Sequence, residues 1–403
     1  MVVMTLALAA LALTILAAAL SRTGLLARAA DAPALTLCAG AALAFVHRAS
    51  GAPALPAELT AAAAQTGLAA LVFVSAAQIR VSRLAVQCPA SFRLTLGGAP
   101  LFLLVCSLCA FILLPQLSLP SAMLLGGALM LTGAAFDRRA VAATPAPASV
   151  KAAVRIESAA IVALGAPAAI LLAANAVAGE PRLEPLLAAS VAALKGFALG
   201  GVFGFIAGRY AEWRTFWRGG RAAVTAGVAA FLLAPFVGAE PVIAAGAAGL
   251  LWGEETRCAP LTRLRLRRAI ERIVAPAAYF SFALALAPRL LQADLLTALF
   301  AAAAVTVMRA GPRLAMLQKA PMPKESQAFL AWFGGAPGAA SALFILSLLD
   351  DVMIVDHEAF LTVSTVAVIA GVVAARLTSK PLTQGLLRQM AAARKRRMFA
   401  PAA

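Results

Sequence analysis

The stretch Arg155-Ile-Glu-Ser-Ala-Ala-Ile-Val-Ala-Leu-Gly-Ala-Pro167 carries one carboxylate, Glu157, and follows it with nothing else that titrates. The run stays apolar to residue 178, long enough to cross a bilayer as a helix, which takes about 20 apolar residues. An acid is expensive in hydrocarbon, so its retention in such a segment needs a partner or a task.

The chain around it is built the same way. Its 403 residues are 63% hydrophobic and 13% charged, with a mean hydropathy of +0.91. Soluble domains carry about 25% charged residues, so the composition predicts an all-α polytopic membrane protein. Thirteen apolar runs can be marked, at 2–20, 33–46, 60–79, 93–114, 119–136, 153–178, 185–208, 222–237, 240–252, 270–288, 295–312, 327–349 and 359–375. Cytoplasmic loops collect Lys and Arg. With thirteen spans, the odd-numbered loops, counted with the span ends that flank them (Arg93, Arg155 and Arg272), and the C-terminal tail hold 29 of the 34 basic residues and the even-numbered loops hold 3. The remaining two, Lys195 and Arg309, lie inside spans. One missed or invented helix would scramble that partition, which therefore predicts an N-terminus outside, a C-terminus in the cytoplasm and a multi-pass protein of the inner (plasma) membrane.

The first run lacks a basic segment before it and has Arg22 and Arg28 after it, so it reads as a retained helix rather than a signal peptide. The net charge of +17 sits in short loops and in the tail around Arg394-Lys-Arg-Arg397. That placement fits topology and anionic lipid headgroups and excludes a nucleic-acid surface, which would need a basic soluble domain. Cys106-Ser-Leu-Cys109 lies in an apolar run, and His47 and His357 are isolated at loop ends. The expectation is packing and solvated ends, with no metal site, no cofactor, and no nucleophile-base pair of an enzyme.

Transport sites often form where two corresponding helices are broken by Gly or Pro. The fifth span holds Gly126-Gly127 and Leu131-Thr-Gly-Ala-Ala135, and the twelfth holds Trp332-Phe-Gly-Gly-Ala-Pro-Gly338. With these landmarks the chain resembles the cation:proton antiporter superfamily, in particular its thirteen-helix sodium/proton exchanger branch. In that family a Thr-Asp-Pro in the fifth helix precedes a Glu-x-x-x-Asn-Asp in the sixth. Here Thr132-Gly133-Ala134 stands 24 residues before Glu157, and the second motif reads Glu157-Ser-Ala-Ala-Ile161-Val162. The third span resembles the family's third helix with Gln78 where an acid is usual. Gly246–Gly253 is similar to the end of the ninth, Val307-Met-Arg309 to the eleventh with its arginine, and Phe329–Gly338 to the twelfth with Ala336 in place of Arg.

The resemblance implies an inverted-repeat fold whose broken helices 5 and 12 cross in a six-helix core. It further implies a core at 91–178 and 291–377, scaffold and dimerisation helices at 1–90 and 184–253, a linking helix at 254–290, a basic tail at 378–403, and a homodimer. It also implies an ion-site region of Thr132, Gly133, Glu157, Ile161, Val162 and Ala336, with Glu157 and Arg309 as a buried ion pair. The acids that bind ion and proton in the family are Gly133 and Val162 here, and Ile161 replaces the family's Asn; none of the three can titrate or ligate a hard cation through a side chain. Lys195 and Asp137-Arg138-Arg139 form an alternative charged site. Three functions stay open: secondary transport by altered chemistry or of an altered substrate, a transport-inactive homologue serving as scaffold, sensor or partner subunit of another protein, and ordinary Na⁺ or K⁺ exchange for H⁺.

Overall fold

The computed structural model describes residues 33–50, 56–80, 89–132, 148–177, 183–210, 220–256, 260–318, 320, 322–333 and 337–398. Apart from one isolated bridge, the regular structure of the described residues is helical. The elements are α1 (Pro33–Ala49), α2 (Ala57–Ala76), α3 (Pro89–Leu113), α4 (Leu119–Met130), α5 (Ala148–Val177), α6 (Leu183–Tyr210), α7 (Arg221–Leu233), α8 (Pro241–Glu255), α9 (Pro260–Leu286), α10 (Leu295–Val305), α11 (Val307–Leu317), α12 (Lys324–Phe333), α13 (Ala339–Ser347) and α14 (His357–Met398). Four of them open on proline, whose missing N–H costs nothing in a first turn. Seven described segments are long and apolar enough to cross a membrane by length and composition, among them Val150–Val177, Thr262–Gln292 and Leu295–Leu317.

Two groups of helices emerge from the packing. In one, α6, α7 and α8 lie together and α8 also packs on α2. Glycines 196, 200, 204 and 208 recur every four residues on α6, and a Cβ on Gly200 or Gly204 would come within 2.0 or 2.3 Å of the carbonyl oxygens of Ala244 and Ala248. Only bare backbone fits that approach, the usual device for close helix contact where solvent supplies no hydrophobic drive. In the other group α4 packs on α3, α5 and α14, and α11 packs on α12 and α3. Helix α2 faces α5 and α13 across the boundary, and α9 runs against α1, α2 and α13.

Helix α4 stops at Leu131, which is extended (φ −64°, ψ 127°), and α13 starts after an extended Gly338 (φ −138°, ψ −154°). Between them Thr132 pairs with Pro337 in an antiparallel bridge, and the Ser341 hydroxyl donates to the Leu131 carbonyl. The two interruptions therefore satisfy each other's backbone groups, as irregular chain at membrane depth must.

Two helices depart from the spans marked by hydropathy. Helix α9 begins at Pro260, ten residues ahead of the expected span, and takes in the charges that had counted as loop. Helix α14 runs on without a break to Met398, and Leu386 is buried with Leu94, Val154, Leu317 and Leu330. The described part of the expected tail, to Met398, thus continues that helix, which packs through Leu386 on α3, α5, α11 and α12. The first expected span, at 2–20, lies outside the described residues.

Candidate functional site

Thr132, at the chain interruption, is 1% exposed, and its hydroxyl reaches the Ser158 carbonyl of α5 at 3.5 Å. It lines two small cavities, one on each side. The first, of about 20 Å³, is walled by Gly98, Phe102, Met130, Ile161, Arg309 and Arg313. The second, of about 10 Å³, is walled by Leu71, Ser75, Val162, Glu271, Ala275, Ala339 and Ala340. Each is about the size of a single water. Ile161 and Val162, 3% and 1% exposed, thus point to opposite cavities, and Thr132 joins them.

Glu157 is 1% exposed, and its partner is Arg313, whose Nη1 donates to Glu157 Oε1. The pairing expected with Arg309 is made, among the described residues, by the arginine one helical turn further along α11. Both arginines fall on the buried face of α11. Arg309 instead sets its guanidinium 6.0 Å from the Phe102 ring centre, a favourable cation-aromatic placement. Arg313 also donates from Nε to the Ala331 carbonyl at 3.0 Å and from Nη2 to the Leu330 carbonyl at 2.8 Å. Three donors of one planar fork are spent on a carboxylate and on the end of a broken helix, which tempers the penalty for burying the charge. Arg313 had been sorted into a loop by charge counting; its four-residue spacing from Arg309 was the available signal.

A second group of buried charges was missed entirely. On α9, Arg263, Arg267 and Glu271 follow one another at four-residue spacing and are 5%, 0% and 7% exposed. Arg265, Arg268 and Arg272, on the other faces, are exposed. Arg263 Nη1 donates to the Gly253 carbonyl at 2.9 Å, and Arg267 Nε to Glu271 Oε1 at 2.8 Å. Glu271 ends in the same cavity as Thr132 and Val162.

Between α2, α5, α8 and α13 lies a vestibule of about 750 Å³. Its walls carry four carboxylates, Glu58, Glu240, Asp350 and Asp351, together with Gln65 and Ser347, and no Lys or Arg among the described residues. The helix faces that line it continue into the cavity. On α2, Leu68 gives way to Leu71 and Ser75; on α5, Ile170 to Val162; on α13, Phe344 to Ala340.

Lys195 is exposed on α6, with its ammonium beside Gly238 in the turn before α8, and it lines neither cavity. Gly133, Asp137, Arg138, Arg139 and Ala336 lie outside the described residues.

Comparisons with known proteins agree with this architecture. The fold is similar to that of the sodium proton antiporter MjNhaP1 from Methanocaldococcus jannaschii at pH 8, with a TM-score of 0.68 at 15% identity over 88% of this chain and 97% of that one. A second structure of MjNhaP1, from electron microscopy, aligns with a TM-score of 0.59 at 16% identity over 96% and 98% of the two chains. No curated protein matches the chain in sequence. The family described as sodium/hydrogen exchanger, transmembrane, matches residues 11–384, and the chain belongs to that family.

Proposed function

We propose that the protein is a secondary transporter of monovalent cations, coupled to protons by a chemistry different from that of the family's Asp-based site. The observation that carries this reading is the acidic vestibule, lined by α2, α5 and α13, the same helices that line the cavity at Thr132. A mouth lined by one sign of charge and walled by low-dielectric protein raises the local concentration of the opposite ion. By the segregation of basic residues, Glu58, Glu240, Asp350 and Asp351 belong to the extracytoplasmic side of an inner-membrane protein with its C-terminus in the cytoplasm.

The division of labour is the one the resemblance implies, and the packing of α6, α7 and α8 on one another supports it. Residues 91–178 and 291–377 form the moving core, 1–90 and 184–253 the scaffold through which two copies dimerise, and 254–290 the link between them. The vestibule opens along the boundary of core and scaffold, where a rocking motion would expose it alternately. Ordinary Asp-based Na⁺/H⁺ exchange is disfavoured by Val162, Ile161 and Gly133.

The test is reconstitution of the full chain into vesicles with an imposed pH gradient, following lumenal pH as Na⁺, K⁺ or Li⁺ is added. Dissipation of the gradient by at least one of them is expected, with none on adding choline. Silence toward all three in folded protein would refute transport and favour a scaffold, sensor or partner-subunit role.

A further inference from the structure

We propose that the outer face of α9 holds the headgroup of an anionic phospholipid through Arg265, Arg268 and Arg272, a binding that does not depend on what the protein transports. By the segregation of basic residues, this end of α9 lies at the cytoplasmic leaflet.

The three arginines recur at intervals of three and four residues. At about 100° per residue, that spacing places them within roughly 60° of one another around the helix. All three are exposed, whereas Arg263, Arg267 and Glu271, on the far side, are buried. Among the described residues no carboxylate pairs with Arg265, Arg268 or Arg272. The one acid of α9, Glu271, is bonded to Arg267, and Glu255 at the end of α8 lies 3.4 Å from Arg209. Three guanidinium groups on one face are thus left to solvent or to a ligand.

Their depth selects the ligand. Residues 273–288 carry no charged side chain, and Arg289 closes the run. At about 1.5 Å per residue this run covers about 24 Å, most of a hydrocarbon layer about 30 Å thick. Arg272 therefore stands at the boundary of that layer, with Arg268 and Arg265 one and two turns beyond it. The stripe is about 10 Å long and crosses the zone of the headgroups. Beside it on the helix surface, Ala269, Ile273 and Ala277 are exposed and form an apolar strip leading into the hydrocarbon. Further along, the side of α9 that bears the arginines is covered by α1: a Cβ on Gly40 would come within 3.0 Å of the Ala283 methyl, and Tyr279 and Ala283 are buried. The arginines are the part of that face still open.

A phospholipid meets both halves of this surface. Its phosphate oxygens suit planar guanidinium forks, which bind phosphate in bidentate fashion, and its acyl chains suit the apolar strip. Free phosphate meets only the first. The opposite face of α9 brings Glu271 to the cavity beside Thr132, so a lipid seated on the arginines fixes the depth of a helix that walls the site.

The test uses the full-length protein in nonionic detergent with phosphatidylglycerol, phosphatidylcholine or inorganic phosphate added. Native mass spectrometry reads bound lipid, and thermal unfolding reads its effect. Wild type is expected to retain phosphatidylglycerol in preference to phosphatidylcholine and to unfold at a higher temperature with it, the more so at low salt. Arg265→Gln/Arg268→Gln/Arg272→Gln should bind phosphatidylglycerol about 100-fold more weakly, at about fivefold for each basic residue near a membrane surface. Arg155→Gln/Lys324→Gln/Arg388→Gln, an equal loss of charge from exposed positions on α5, α12 and α14, should bind as wild type does. Wild-type binding in the α9 variant would overturn the proposal. Equal loss in both triple variants would overturn it too, by reducing the effect to net charge. The same rise in unfolding temperature with inorganic phosphate would overturn the lipid as occupant. If the α9 triple variant does not fold, the three single Arg→Gln changes decide: weaker binding in each supports the site, and wild-type binding in all three overturns it.

Discussion

Glu157 and Glu271 are both buried acids next to arginine. Arg313 spends one donor on Glu157 and two on carbonyls of α12. Removing one member of such a pair strands a buried charge, which costs about 3–5 kcal/mol. Arg313→Met should therefore lower the thermal unfolding temperature in detergent sharply, and Arg309→Met, which leaves Glu157 paired, should lower it much less. Equal effects would show that the pair is not what holds this region. The sequence made Glu157, Ile161 and Val162 legible as a depleted site because their motif spacing survives. Arg313 and Glu271 stayed hidden because charge counting treats every arginine near a helix end as solvated, although protein interior can receive it as readily as water.

At the scale of elements, hydropathy marked α5 closely but began α9 ten residues late. An average over a window cannot distinguish a charge facing water from one facing another helix, whereas the four-residue recurrence of Arg263, Arg267 and Glu271 does. The contact of α6 with α8 depends on missing side chains. Gly200→Ala would drive a methyl into the Ala244 carbonyl, and overpacking of this kind costs about 1–3 kcal/mol. A lower unfolding temperature is expected for Gly200→Ala and none for Gly201→Ala, where a Cβ meets nothing within 4 Å. Helix α10 is capped by Asp294, which accepts from the Thr297 amide at 2.8 Å. Hydrogen bonds from the Thr297 side chain and amide hold this carboxyl below its ordinary 3.8. With the folded value depressed, the cap's contribution is complete above about pH 4 and is lost as pH falls through that lower value. Asp294→Asn, which accepts without titrating, should abolish the acid sensitivity of amide exchange at Thr297.

For the whole molecule, the class and the family were legible because composition and charge segregation act over the entire chain. The vestibule was not, since it is assembled from Glu58, Glu240, Asp350 and Asp351, acids far apart in sequence. If those carboxylates concentrate cations, changing all four to their amides should raise the cation concentration for half-maximal exchange and weaken its dependence on ionic strength, because screening acts on the field they create. An unchanged concentration dependence would separate the vestibule from the route of the ion.

The Arg313 contacts have a mechanical consequence. One guanidinium fastens α5, α11 and α12 at a single point, so these three are bolted together and any working stroke must carry them as one block. The nearby give is at Thr306, seven residues before the bolt, where the backbone leaves helical geometry (φ −115°, ψ −89°) between α10 and α11. Rivet and elbow thus share one span, and the stiffness of this half of the protein ends where α10 begins.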